Sequence, residues 1–324
     1  MTMRELARLA NVSVSTVSKA FGDAPDVCPE TKRHIFQIAK EHGCFGKYYK
    51  GKFSKKVFAI ICSELVSNYY IGFVERLQTL IEENGGIAVI SVDHFQEKTQ
   101  AELIEYYASY LHVDGIVVFG LKTPVKKGYE IPIVSIFSAI DTNVDAIKVQ
   151  MDGALADAID LLYRNGHRKI GFIGEPLTRQ KANTVQKICE SYADIDFSVY
   201  ESSYRFEQAG QDGVRKLFQN NDAKQRCTAL VCSYDNVAFG AMKELKKLGF
   251  SVPEEVSVIG ADNINATEFA QTPLTSIDSA PDEVCAVAWE LLLKKQTNKY
   301  YRTNRDIIIK ASLVIRDSVG KAKE

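Results

Sequence analysis

Seven short apolar runs rich in β-branched residues recur from Val57 onward: VFAIIC, GIAVISV, GIVVFG, IPIVSI, KIGFIG, TALVC and VSVIG. Longer amphipathic stretches separate most of them. Runs this short and this continuously apolar suit strands covered on both faces, and their alternation with helical patterns predicts parallel sheets flanked by helices. The expected architecture is doubly wound α/β. Residues 57–324 are many for one such sheet, and AIDTNVDAIKVQMDG, Ala139 to Gly153, interrupts the rhythm near the middle. Two α/β lobes are therefore expected, with a ligand cleft between them at the strand ends.

The first 56 residues follow another pattern. NVSVSTVSKAF, Asn11 to Phe21, alternates like a strand only from Val12 to Ser15, after which Val14, Val17, Ala20 and Phe21 fall at helical spacings of three and four. Upstream, Met3, Leu6, Leu9 and Ala10 form a second helical stripe, and Ser13 is placed to cap the helix that follows. Two short helices joined by a tight turn make a helix-turn-helix, whose second helix lies in the DNA major groove. CPETKRH, with proline at the first turn and an early acid, starts a third helix at Cys28-Pro29-Glu30.

Charge separates the two regions as well. The whole chain has a net charge of −1, but residues 1–56 hold 11 Lys and Arg against 5 Asp and Glu, which leaves 29 against 36 beyond them. A basic head on an acidic body predicts that the head meets a polyanion and the body does not. GCFGKYYKGKFSKK, Gly43 to Lys56, has five lysines and three glycines and reads as a flexible basic linker. The seven cysteines are odd in number, scattered, and without a C-x-x-C pair, which suits reduced thiols in the cytoplasm and no metal site. Cys227 and Cys232 could join a distant histidine on a metal, but Cys232 ends an apolar run and reads as a core thiol. No signal core opens the chain, and no apolar stretch has the roughly 18–20 residues of a membrane span.

With these features together, the chain resembles the lactose-repressor (LacI/GalR) family of bacterial transcription regulators. The likeness is carried by RELARLANVSVSTVSKAF and CPETKRHIFQIAKEHG in the head and by VDGIVVFG, NGHRKIGFIGE, VPEEVSVIGADN, TPLTSID and LVIRDS in the body. It implies an all-helical helix-turn-helix headpiece at 1–45, a hinge at 46–56, and a two-lobed, periplasmic-binding-protein-like effector and dimerisation core at 57–324. By this resemblance Val14, Ser15 and Lys19 read bases, while Ser13, Thr16 and Ser18 contact phosphates. A valine can meet a thymine methyl, and a lysine can donate to guanine O6 or N7. Phe53 takes the place of the family's minor-groove leucine, a kind of wedge that phenylalanine can form.

The same resemblance puts an effector clamp on Asn68 and Tyr70 after the first strand and on Asp235 and Asp262 at strand ends. Carboxylates at the carboxyl ends of parallel strands can each accept from two neighbouring sugar hydroxyls while an aromatic covers the apolar face. Asp235 has a second reading, as a cap on NVAFGAMKELKKLG. The family's Asp-Asn pair is here Gln150-Met151, and its following arginine is lost around Asn183 to Val185, with Arg179 and Lys181 as nearby substitutes. His167, in NGHRK, reads as structural.

The function expected is a cytoplasmic transcription regulator, a repressor, acting as a homodimer on a near-palindromic double-stranded operator and controlled by a sugar or sugar derivative. One recognition helix covers too few bases for genomic specificity, so two heads on a twofold axis are needed. A sugar-binding transport component would share the core but not the basic head. An enzyme is not expected, since nucleophile elbow, phosphate loop, H-E-x-x-H and dinucleotide fingerprint are all missing from the sequence, and no cofactor is implied.

Overall fold

The computed structural model describes residues 1–22, 24–49, 55–126, 129, 131–141, 143–218, 226–297 and 305–323. Four helices build the head: α1 (Met3–Leu9), α2 (Val14–Phe21), α3 (Pro29–Glu41) and the single turn α4 (Phe45–Tyr48). The strands that follow are β1 (Val57–Cys62), β2 (Ile87–Val92), β3 (Gly115–Leu121), β4 (Ile133–Ala139), β5 (Asp145–Gln150), β6 (Lys169–Gly174), β7 (Asp196–Glu201), β8 (Ala229–Cys232), β9 (Ser257–Ala261), β10 (Thr275–Asp278), β11 (Asp306–Lys310) and β12 (Ser312–Val314). Between them run α5 (Asn68–Glu83), α6 (Glu97–Glu105), α7 (Asp152–Arg164), α8 (Arg179–Cys189), α9 (Phe206–Leu217), α10 (Asp235–Lys247), α11 (Ala266–Phe269) and α12 (Pro281–Thr297).

Two six-stranded sheets result, in the orders β11-β5-β4-β3-β1-β2 and β12-β10-β9-β8-β6-β7. β1 pairs in parallel with β2 and β3, and β6 in parallel with β7 and β8; β12 runs antiparallel to β10. The seven apolar runs of the sequence are β1, β2, β3, β4, β6, β8 and β9, so the doubly wound α/β expectation holds. The Ala139–Gly153 stretch, expected as an interruption, contains β5. Its polar start is Asp145, fully buried, whose Oδ1 accepts from the Arg305 N–H at 2.6 Å while Lys295 lies 2.9 Å from Oδ2.

The chain divides into two compact units. One comprises Met1–Val66, Val74–Ala146 and Ala286–Asp306; the other comprises Ser67–Phe73, Ile147–Cys285 and Ile307–Glu324. The first has a core of Ala59, Ile61, Ile104, Val113, Ile116, Val118 and neighbours. In the second, Ala158, Ile159, Leu162, Ile170 and Phe172 pack on one side, and Ile173, Val214, Leu230, Val237 and Val258 on the other. Burial of an aliphatic side chain contributes about 1.5–3 kcal/mol, so each cluster is a stabilising unit in its own right. His167 is buried in the second unit, where Nδ1 meets Thr228 at 2.9 Å and Nε2 meets the Gly320 carbonyl at 3.0 Å; its role is structural.

The head has its own core of Leu6, Ala7, Ala10, Val17, Ala20, Phe21, Ile35 and Ala39. The sequence reading starts the flexible linker at Gly43 and the hinge at residue 46, but Phe45, Tyr48 and Tyr49 meet the Phe21 and Phe36 rings tilted or edge-on at centroid distances of 5.0–5.8 Å, and Phe45 stacks on Tyr49 at 4.7 Å. Aromatic packing thus holds the head together through Tyr49. Phe53, the expected wedge, lies outside the described residues.

Candidate nucleic-acid interface and effector site

The tight turn between α1 and α2 depends on Asn11, which has a φ of 52°. The Asn11 N–H donates to the Arg8 carbonyl at 3.3 Å and the Val12 N–H to the Ala7 carbonyl at 3.0 Å. This is the paired arrangement that ends a helix on a left-handed residue, a conformation asparagine tolerates. Two residues later Ser13 caps α2, its Oγ accepting from the Thr16 N–H at 2.9 Å. Val17, Ala20 and Phe21 are buried, so Val14, Ser15, Ser18 and Lys19 face solvent on the other side of α2. Val14 is 42% exposed, an apolar side chain open to contact at the start of the helix. Thr16 is only half-buried and its hydroxyl meets Ser13 Oγ at 2.8 Å, so it supports the cap. Lys19 is ion-paired with Asp26 across the loop after α2. Cys28 begins α3 without a side-chain cap hydrogen bond.

The two sheets carry polar groups at the carboxyl ends of their parallel strands. In the first unit, Ser63 follows β1, Asp93 follows β2 and Lys122 follows β3. The Lys122 ammonium donates to both Asp93 oxygens, at 3.0 and 2.9 Å, and to Ser63 Oγ at 3.1 Å. Gln100 donates to Asp93 Oδ2 at 2.6 Å and accepts the Lys122 N–H at 2.7 Å. Every charge in this group has a near partner.

The second unit is arranged differently. Lys181, in the first turn of α8, donates to the Ser233 carbonyl after β8 and faces Asp262 and Asp235. Burial pulls its ammonium down, and the two carboxylates oppose that shift. Asp262 follows β9 with a φ of 101°, and Asn263 follows with a φ of 48°. This strained pair is held by neighbours. The Asn263 N–H donates to Ser276 at 3.1 Å, the Asn263 carbonyl oxygen Oδ1 accepts from Arg316 at 2.8 Å, and the Ile264 N–H donates to Asp235 at 2.9 Å. Burial pushes the Asp262 carboxyl well above the usual carboxylate range, with Lys181 acting against it. Among the described residues no donor hydrogen-bonds its oxygens. Strain kept in place by surrounding structure is a mark of functional positions.

Asp235 is a tether. It is fully buried as the first residue of α10; Oδ1 accepts from the Ser276 hydroxyl at 2.6 Å and Oδ2 from the Ile264 N–H. A Cβ on Gly260 would lie 2.2 Å from Oδ1, so the carboxylate needs the glycine beneath it. Burial raises it to about 7. The helix-cap reading does not describe it, because Tyr234 occupies the cap position, and each oxygen accepts one bond that helps fix the Asp262 loop.

Asn68 and Tyr70, expected in a loop, stand in the first turn of α5, and Asn68 donates to Asn236 at 3.3 Å. The aromatic beside Asp262 is Tyr69, whose hydroxyl burial and the Asp262 charge push up. Tyr70 stacks edge-on against Tyr69 at 5.7 Å. The two arginine substitutes part company: Arg179 holds Glu201 through two bonds of 2.8 and 2.6 Å, and only Lys181 joins the carboxylates. Gln150, Met151, Thr184 and Lys181 line a cavity of about 500 Å3.

Sequence reading also passed over Glu175, Phe206 and Tyr234. Glu175, after β6, accepts from the Phe206 N–H at 2.9 Å and from the Tyr234 hydroxyl, while Arg205 donates to it at 3.2 Å. These bonds hold Phe206 at a φ of 55°, its ring 5.9 Å from that of Tyr234. The available signal was position: Glu175 and Tyr234 directly follow KIGFIG and ALVCS, where parallel strands deliver ligand contacts.

Among the described residues no group of three or more His, Cys, Asp or Glu side chains is placed to hold a metal, and no helix is long and apolar enough to cross a membrane. All seven cysteines are free; burial pushes Cys62 and Cys227 up to about 11.

Residues 2–44 match the bacterial regulatory proteins of the lacI family, and residues 159–319 match the periplasmic binding protein-like domain. The chain is 27% identical to the HTH-type transcriptional repressor CytR of Escherichia coli strain K12, covering 98% of this chain and 96% of that protein. Its fold is similar to a LacI family transcriptional regulator from Enterococcus faecium with bound ribose, with a TM-score of 0.70, 16% identity and coverage of 82% and 100%. It is similar over 99% of both chains to the lac repressor dimer bound to operator and the anti-inducer ONPF, with a TM-score of 0.68 and 17% identity.

Proposed function

Because the chain belongs to the lacI family of bacterial regulatory proteins, we propose that it is a repressor of transcription that binds a near-palindromic operator as a homodimer and releases or tightens it in response to a small sugar-like effector. The observation that supports this most directly is the exposed face of α2. Val14, Ser15, Ser18 and Lys19 stand on a helix whose opposite face is locked by Val17, Ala20 and Phe21. Such a face presents base-reading and phosphate-contacting groups in fixed register. Its place of action is the cytoplasm, with the DNA.

The effector reading rests on the carboxyl edge of the second sheet. Asp262 is an acceptor that no donor among the described residues hydrogen-bonds, Lys181 is a half-buried cation beside it, and Tyr69, Phe206 and Tyr234 supply aromatic surface. A polyol can donate to the carboxylate while its ring carbons cover an aromatic face. Asn68 and Tyr70 belong to the helix turn that brings Tyr69 there, and Asp235 shapes the loop. The ligand acts on DNA binding only through its different affinity for two conformations of the protein.

The test begins by selecting duplexes from a randomised library with the full chain. An inverted repeat is expected, and affinity for it should fall steeply with salt. Lys19→Ala should cost about 1–3 kcal/mol on the selected duplex and relax preference at one base pair per half-site. Ribose and a panel of pentoses, hexoses and nucleosides, titrated calorimetrically, then test the effector. A selection without a repeat, or a Lys19→Ala variant that weakens all duplexes alike, defeats the respective part of the proposal.

A further inference from the structure

The loop after α2 returns an acidic side chain to the DNA-facing surface. The Ala24 N–H donates to the Lys19 carbonyl at 3.0 Å, and the Val27 N–H to the Ala24 carbonyl at 3.4 Å. Val27 then packs against the head core. Asp26 therefore sits between two anchored residues, and its carboxylate receives the Lys19 ammonium. Elsewhere in the head, Glu5 closes the capping box with Thr2, and Glu41 accepts from Gln37. Lys19 and Asp26 are 51% and 54% exposed, so the pair can open at little cost.

We propose that Asp26 is a specificity-determining residue, an internal competitor that holds the Lys19 ammonium until an acceptor on a base edge replaces it. This rests on the reading that Lys19 contacts bases. Lysine is a flexible point charge that serves a phosphate as readily as a guanine, unlike the planar fork of arginine. On a duplex that offers no suitable base, an unrestrained Lys19 would add a phosphate contact and raise non-specific affinity. Asp26 removes that option, because Lys19 already has a partner and the carboxylate itself repels the phosphates. On a matched sequence the guanine O6 and N7 acceptors take over the ammonium, and the carboxylate is left to water. Asp26 thus weakens every complex slightly and the unmatched ones most, which is how a repulsive element produces discrimination.

The experiment uses the full chain with two probes, the duplex it enriches from a randomised library and a scramble of that duplex. Asp26→Asn should tighten the scrambled duplex about three- to tenfold and steepen its salt slope by about 0.9, the signature of one added phosphate contact. The selected duplex should tighten about twofold or less, so the specificity ratio falls. In a Lys19→Ala background Asp26→Asn should leave the ratio unchanged, since the two residues act as a unit. Equal tightening of both duplexes, no change in either, or a fall in ratio that persists without Lys19 each overturns the proposal. If Lys19→Ala alone weakens both duplexes equally, the base-reading role of Lys19 has failed first; if Lys19→Ala is selective and Asp26→Asn is not, the competitor alone has failed.

Discussion

At the carboxyl edge of the first sheet, Lys122 has three near acceptors in Asp93 and Ser63, and Asp93 has Gln100 as a further donor. At the same edge of the second sheet, Lys181 reaches one backbone carbonyl, Asp262 has no protein donor among the described residues, and the buried Ser233 hydroxyl has no hydrogen-bond partner. Both edges place a lysine beside a carboxylate. The first arrangement is closed and acts as a structural clamp. The second keeps hydrogen-bonding capacity unused in a desolvated place, where an added ligand group gains most. The contrast teaches that residue type and strand-end position are not enough to mark a ligand site; the accounting of donors and acceptors is what separates the two.

The strongest challenge to this contrast is to open the closed edge. Lys122→Met leaves Asp93, fully buried, without its counter-ion, and should destabilise the chain by about 3–5 kcal/mol in urea unfolding. Lys181→Met should cost much less, since Asp262 can take up a proton. Equal losses would show that the two edges are built alike.

Acidity offers the next test. Burial raises the Asp235 carboxyl to about 7, far above its value in an unfolded chain, so the folded state binds the proton more tightly. The sign follows: this group makes the fold lose stability as pH rises from about 4 to about 7, with no further loss above. The difference in unfolding free energy between wild type and Asp235→Asn should slope across that window and level off beyond it. A flat difference would mean that Asp235 is ionised throughout and that its burial is less severe than its hydrogen bonds suggest.

Asp262→Asn sharpens the comparison at the ligand itself. Affinity for whichever sugar of the panel binds should drop at least about tenfold, since a charged acceptor is lost in a partly dry site. Effector-free affinity for the selected duplex should be unchanged. A loss of both, with a lower Tm, would assign Asp262 to the fold.

The smallest effect is expected from Ser233→Ala. Among the described residues its hydroxyl has no partner to lose, so stability should stay within about 0.5 kcal/mol of wild type, while sugar affinity falls severalfold. A large loss of stability would show that the second edge is satisfied after all.

The strands legible in the sequence are those with a continuous β-branched apolar run, including the edge strand β2; the buried β5 and β10, DAIKVQ and TSID, have polar residues in place of such a run. β7, with one partner strand and a mostly exposed sequence DFSVYE, has no such run, and neither do the terminal strands β11 and β12. The head was legible in detail, since each of its features acts over three or four residues: the Ser13 cap, the apolar stripe of Val17, Ala20 and Phe21, and the Asn11 turn are all local. The packing of Phe45 on Phe21 and Phe36 was not legible, because local spacing does not reveal such partners.

Period, capping and charge are properties of neighbours in the chain, so the amino-acid order was sufficient for the α/β core, the helical head and the exposed face of α2. The proposed effector site is another matter. Asp235 and Asp262 are alike on paper, each an aspartate just beyond a strand, yet Ser276 and Ile264 donate to one while, among the described residues, no donor hydrogen-bonds the other, which has Lys181 and Tyr69 beside it. Which polar groups are satisfied depends on contacts between distant segments, and tertiary packing alone decides those.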